Sequence, residues 1–126
     1  MTLTAFEKNA YLAQHGDVEA KCLREIAKAF PASANRLAGI WIETGFNGRL
    51  SATMGRASFK GLRYKIEYSS KLYALATAEK IHNNMVHELC HVFAHALTGK
   101  MGHDRMWKRL MVICGQPPLR CYSVTK

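Results

Sequence analysis

The sequence predicts an α+β domain, and three observations predict it. Apolar residues recur at helical spacing over residues 3–30 and again from about Ala78 onward. The stretch between them is rich in β-branched and aromatic residues punctuated by turn signals. A histidine-rich motif sits in the middle of the second helical stretch, which makes that helix the centre of any site.

The elements follow in order. Leu3, Phe6, Ala10, Leu12, Ala20, Leu23, Ile26 and Phe30 trace a helix, with a break expected at His15-Gly16-Asp17 and an end at Pro31. Leu37 to Phe46 reads as a strand. Asn47-Gly48 is a hairpin signal, so Arg49 to Met54 is expected to pair back as a second strand, followed by a loop over Gly55 to Gly61. Leu62 to Tyr68 alternates apolar and polar residues as a third strand. Thr77 is suited to cap a long helix over Ala78 to Leu97, which Gly99 ends. After the loop Lys100 to His103, Asp104 is suited to cap a last helix over Arg105 to Ile113, stopped by Gly115 and Pro117-Pro118. The expected architecture is a small antiparallel sheet of about three strands packed with helices, in one domain spanning residues 1–126.

Composition narrows the class. An apolar fraction of 48% suits a globular domain. No apolar run is long enough to span a bilayer, and MTLTAFEKNAYLAQHGD lacks the pattern of a secretory leader, so a cytoplasmic, intracellular setting away from membranes is expected. Cys22, Cys90, Cys114 and Cys121 form no CxxC pair, which excludes a self-contained zinc ribbon; Cys114 and Cys121 are spaced as a loose metal or redox pair, against ordinary thiols. The net charge of +9 points to a polyanionic partner, nucleic acid first. Arg49, Arg56, Lys60, Arg63, Lys65 and Lys71 face Glu67 alone within residues 49–71. Phe59, Tyr64, Tyr68, Tyr73 and Trp107 lie among the charges, some to stack on bases and most to fill the core.

The motif is His87-Glu88-Leu89-Cys90-His91, HExxH. Side chains four apart share one helix face, so both imidazoles can reach one Zn²⁺, and Glu88 stands beside them as a general base. Chance supplies roughly 0.015 such matches in a chain of this composition. Ile81, Met85, Leu89, Val92 and Ala96 form the apolar face, with His82 partly buried on that side; His87, His91 and His95 fall opposite with Lys80, Asn84 and Glu88. His95 is a poor third ligand, because it lies about 12 Å along the axis from His87. A second contact shell, a substrate contact or the surface suits it better. A metzincin would need Gly at 94 and His at 97, where this chain has Ala94 and Leu97. No Glu follows Glu88. His103 and Asp104 remain, with His103 favoured and Asp104 read as cap or as partner to a ligand.

With these residues the sequence resembles the SprT-like family of zinc metalloproteases, which includes the bacterial SprT proteins and the eukaryotic Spartan proteases. The resemblance covers about residues 35–122 and centres on HELCHVFAHALTGKMGHDRMWKRLM, with His103 in the third-ligand position and Trp107 and Met111 in the helix that follows. MGRASFKGLRYKIEYSSKLYALATAEKIHNNMVHE and CGQPPLRC extend it. Asp104 stands where the family often has Gly, and many members continue into a C-terminal zinc ribbon, so the likeness is to a minimal form. The resemblance implies a zincin-like fold and a zinc endopeptidase acting on DNA-bound or DNA-crosslinked proteins, with Zn²⁺ on His87, His91 and His103 and Glu88 as base. Tyr68, His95 and Arg105 are candidates for the oxyanion donor. The rival readings are a zinc-containing DNA-binding protein without catalysis and a protease that acts independently of DNA.

Overall fold

The computed structural model describes residues 2–119. Helix α1 spans Ala5–Ala29, a 3-10 turn spans Pro31–Ser33, and a short helix α2 spans Ala34–Ala38. Strands β1 (Trp41–Asn47), β2 (Gly55–Lys60) and β3 (Arg63–Ser69) follow, then α3 (Ser70–Tyr73), α4 (Ala78–Thr98) and α5 (Arg105–Ile113). Among the described residues no helix is long and apolar enough to cross a membrane.

Helix α1 starts with a capping box: the Glu7 amide donates to Thr4 Oγ1 at 3.1 Å, and the Thr4 amide donates to Glu7 Oε1 at 2.9 Å. The expected break at His15-Gly16-Asp17 is absent, and the helix runs straight through. Tertiary packing overrides the glycine. His15, Val18, Cys22 and Ile26 are buried at helical spacing, and His15 Nδ1 lies 2.7 Å from the Tyr68 hydroxyl. That burial outweighs the roughly 1 kcal/mol cost of one mid-helix Gly. His15, placed by the sequence only in the expected break, is therefore a core residue.

The sheet has the expected number of strands but a different topology. Its order is β1-β3-β2, with β3 parallel to β1 and antiparallel to β2, so it is mixed rather than antiparallel. Leu37 belongs to α2, and β1 begins only at Trp41. Asn47-Gly48 makes a turn but no hairpin. A two-residue hairpin needs positive φ, and neither residue has it. Instead Asn47 Oδ1 accepts from the Arg49 amide at 2.9 Å, and residues 48–54 run on as irregular chain. That segment is tied to the end of β3: Ser69 Oγ donates to the Leu50 carbonyl at 2.6 Å, and the Ser69 amide donates to that of Met54 at 2.7 Å. The stretch expected as a loop, Gly55 to Gly61, is instead β2 plus the true hairpin turn. Gly61 has φ +64° and, with Leu62, joins Lys60 to its partner Arg63.

Both long C-terminal helices follow the sequence reading. Thr77 Oγ1 caps α4 by accepting from the Lys80 amide, and Gly99 ends it in the left-handed conformation at φ +79°. Asp104 caps α5 by accepting from the Trp107 amide at 3.1 Å. Helix α4 is the core of the molecule. Its apolar face meets α1 and α5, while β2 and the start of α5 roof the histidine side, so Asn84, His87, Glu88 and His91 are buried as well. His82 is half-buried, as expected. Tyr64, Tyr68, Tyr73 and Trp107 are core residues, and Phe59 remains half exposed. The pairing of Cys114 with Cys121 falls outside the described residues. Among the described residues Cys22, Cys90 and Cys114 are free thiols. Their mutual proximity lowers the Cys114 thiol and raises that of Cys22, while burial and then the same proximity raise that of Cys90.

Candidate metal centre

Helical geometry accounts for the first two members of the site. His87 and His91 are one turn apart on α4, and their Nε2 atoms lie 3.2 Å from each other. The chain turns back after Gly99, and the loop before α5 brings His103 over the same spot. Its Nε2 lies 3.1 Å from that of His91 and 3.2 Å from that of His87. Three imidazole nitrogens converge on one point. Neutral imidazoles cannot satisfy such a triangle among themselves, because each Nε2 either carries a proton or offers a lone pair and cannot do both. Three ligands of a tetrahedral Zn²⁺ at ordinary Zn–N lengths stand about 3.3 Å apart, so the triangle fits such an ion. Among the described residues these three form a group of side chains able to hold a metal ion together.

The surroundings hold the rings in place. Trp107 is fully buried; its ring stacks on His91 at 5.4 Å and meets His87 and His103 edge-on at 4.8 and 4.6 Å. Its indole N–H donates to the His87 carbonyl at 3.1 Å, which ties α5 to α4 beside the three histidines. Burial, then the neighbouring histidines, push His87 down to about 3 and His91 to about 4. The Leu119 backbone opposes the shift at His87, and the Gly102 backbone and the Asp104 charge oppose it at His91. Both rings are therefore neutral and free to donate lone pairs at neutral pH.

Glu88 turns its carboxylate toward the same point, with Oε2 4.0 Å from His87 Nε2. Burial pushes this carboxyl up to about 8, and a hydrogen bond from Asn84 works against the shift. The Asn84 amide reaches Glu88 Oε2 at 3.5 Å, while Asn84 Oδ1 accepts from the Tyr73 hydroxyl at 2.9 Å. Gly55 closes over the pair from β2. A Cβ there would stand 2.9 Å from Glu88 Cγ and 2.9 Å from Asn84 Oδ1. The site opens into a cleft of about 440 Å³, floored by α4 and walled by residues 52–57 on one side and Met101 to His103 on the other.

His87, Glu88, His91 and His103 thus lie together, as the sequence led one to expect. Asp104 caps α5 and is not a member of the histidine group, although its charge reaches His91. His95 is elsewhere: its Nδ1 lies 2.8 Å from the Tyr64 hydroxyl, and its ring stacks on Phe59. Tyr68, His95 and Arg105, the oxyanion candidates, do not line the cleft, and Arg56 does. Sequence reasoning missed Asn84 and Gly55. Asn84 was findable, since it precedes Glu88 by one helical turn. Gly55 was not, because only the packing of β2 on α4 sets its role.

An α+β domain whose central helix and following loop bring three histidines to one point has a zincin-like fold, with a site compatible with a zinc metallopeptidase. The chain belongs to the SprT-like family, which matches residues 21–125. No curated protein and no solved structure gives a match to the chain.

Proposed function

We propose that this protein is a zinc-dependent endopeptidase whose substrates are proteins held on DNA. The observation that carries the catalytic part is the buried Glu88 carboxylate 4.0 Å from His87 Nε2, at the edge of the three-histidine triangle. His87, His91 and His103 would hold the ion. When bound, zinc supplies Lewis acidity, polarising the scissile carbonyl and making water a better nucleophile. Glu88 takes the proton from the attacking water and passes it to the leaving amine. Its burial favours the protonated form at neutral pH, and beside a dication it ionises and becomes a base. Asn84, anchored by Tyr73, orients the carboxylate, and Gly55 leaves the room it needs. β2 is an edge strand whose Gly55–Ala57 segment rims the cleft, so an extended peptide can add along it and present its carbonyl to the site. Family membership supports the same metalloprotease-type reading.

The DNA part rests on the net charge of +9 and on the family resemblance. A basic surface holds an enzyme near conjugates without reading sequence. The rival, a zinc protein that binds without catalysis, has no use for a buried carboxylate beside its ligands. The test is cleavage of a DNA-binding protein by the zinc-loaded chain, with and without single-stranded DNA. We expect DNA-stimulated cleavage that Glu88→Gln abolishes while zinc stays bound. Equal cleavage of free and DNA-bound substrate would turn the reading to a DNA-independent protease. No cleavage, with zinc and DNA both bound, would leave only the binding protein.

A further inference from the structure

The sheet has one covered face and one open face. Tyr64, Ile66 and Tyr68 of β3 point to the covered side, where they are buried against the helices. The alternate residues point outward, and the register shows which of them meet. Trp41, Arg63 and Lys60 form one row across β1, β3 and β2. Glu43, Lys65 and Ser58 form the next. No described element packs over these rows, and Trp41 is 67% exposed. A shallow groove of about 230 Å³ lies there, lined by Trp41, Phe59, Lys60, Arg63 and Lys65 together with the carboxylate of Glu43.

We infer that this outward sheet face is a platform for single-stranded nucleic acid, with a base stacked on Trp41 and phosphates met by Lys60 and Arg63. An exposed indole alone is ordinary on a protein surface. An exposed indole flanked by unpaired cations on a rigid sheet is the combination that binds unpaired bases and their backbone. Lys65 is partly occupied by Glu67 at 3.9 Å, and the outward carboxylate of Glu43 lies directly across from it. Among the described residues Lys60 and Arg63 therefore carry the free charge. Duplex bases hide their faces in the stack, so the indole selects a single strand. An acidic polypeptide would use the cations and leave the indole idle. A second copy of a chain with net charge +9 would be repelled.

The inference deepens the reading of substrates held on DNA and rests on it for its purpose. β2 links the two places: Gly55–Ala57 rims the metal cleft, and Lys60 stands at the platform, about 10 Å further along the strand. A protein attached to the bound strand is thereby held beside the cleft.

The chain supplies its own reporter. Of its two tryptophans, Trp107 is fully buried and Trp41 is exposed, so a ligand that stacks on the surface quenches Trp41. The zinc-loaded chain and its Glu88→Gln variant are titrated with a short oligothymidylate, following intrinsic fluorescence and the anisotropy of a labelled strand. Saturable quenching that weakens with salt is expected in both proteins. Trp41→Leu should abolish the quench and weaken binding about tenfold. Trp41→Phe should keep most of the affinity while losing the signal. Lys60→Ala with Arg63→Ala should weaken binding and reduce the salt dependence by about two charges. Thermal unfolding checks that each variant is folded. Binding that ignores these substitutions overturns the platform, as does the absence of any quench. So does an equal quench with polyglutamate or with duplex of the same length. Quenching that persists in a protein found to have no peptidase activity keeps the platform and removes the protease reading instead.

Discussion

Gly55→Ala tests the arrangement around the proposed base most directly. The backbone of Gly55 has ordinary negative φ, so conformational strain is not the issue. Space is. The new Cβ would meet Glu88 Cγ at 2.9 Å, Asn84 Oδ1 at 2.9 Å and Glu88 Oε2 at 3.2 Å, where ordinary contacts begin at 3.4 Å. Either β2 lifts from α4 or the Glu88 carboxylate swings away, in each case by about half an ångström. Overpacking of this kind costs about 1–3 kcal/mol, which for a domain of this size lowers Tm by about 3–10 °C. Displacement of a base by a fraction of an ångström should reduce kcat at least tenfold, since misplacement by about 1 Å is associated with 100-fold losses. The three histidines are untouched, so the zinc content should stay at one per chain. Gly45→Ala is the control, because nothing lies within 4 Å of a Cβ there. The assays are thermal unfolding of zinc-loaded protein and turnover of a fluorogenic peptide. If Gly55→Ala melts and turns over like wild type, or if Gly45→Ala is as damaging, the packing of β2 against Glu88 does not control the base.

Three further outcomes are expected. His103→Ala should lose zinc as measured by atomic spectroscopy, while His95→Ala retains it and Asp104→Ala retains it at a cost of about 1 kcal/mol for the lost cap. Stability of the chelator-treated, metal-free protein should peak near pH 6.5. His87 and His91 have folded values lowered to about 3 and about 4 from 6.5, so the stability they contribute is full above 6.5 and is lost as pH falls below it. Glu88 is raised from 4.5 to about 8, so its contribution is full below 4.5 and is lost as pH rises to 8. Each group contributes a slope of about 1.4 kcal/mol per pH unit, and Glu88→Gln should remove the alkaline fall, as denaturant melts across pH will show. Gly16→Ala should stabilise the chain by about 0.5–1 kcal/mol, because a Cβ mid-helix at that position meets nothing within 4 Å.

The elements with local causes were legible in the sequence. Thr77, Gly99, Asp104 and the i, i+4 histidines act through capping, left-handed φ and helical spacing, which depend on neighbours in the chain. The clustering of His87, His91 and His103 followed from the same rules, since His103 returns just after the Gly99 turn. What was not legible depends on contacts far apart in sequence. Asn47-Gly48 has the residues of a hairpin turn, yet the bonds from Ser69 to Leu50 and Met54 hold the following segment as irregular chain and leave the hairpin to Gly61. Gly16 marks a break on propensity, yet His15 meets Tyr68 across the core and the helix continues.

The sequence alone determined that His87 and His91 share one face of α4, because spacing four apart on one helix leaves little freedom. Only the tertiary structure decided the order β1-β3-β2, and with it which strand lies beside Glu88 and which face stays open. Strand pairing joins residues about twenty apart in the chain, and its energy resides in cross-strand and sheet-to-helix packing that no local pattern encodes.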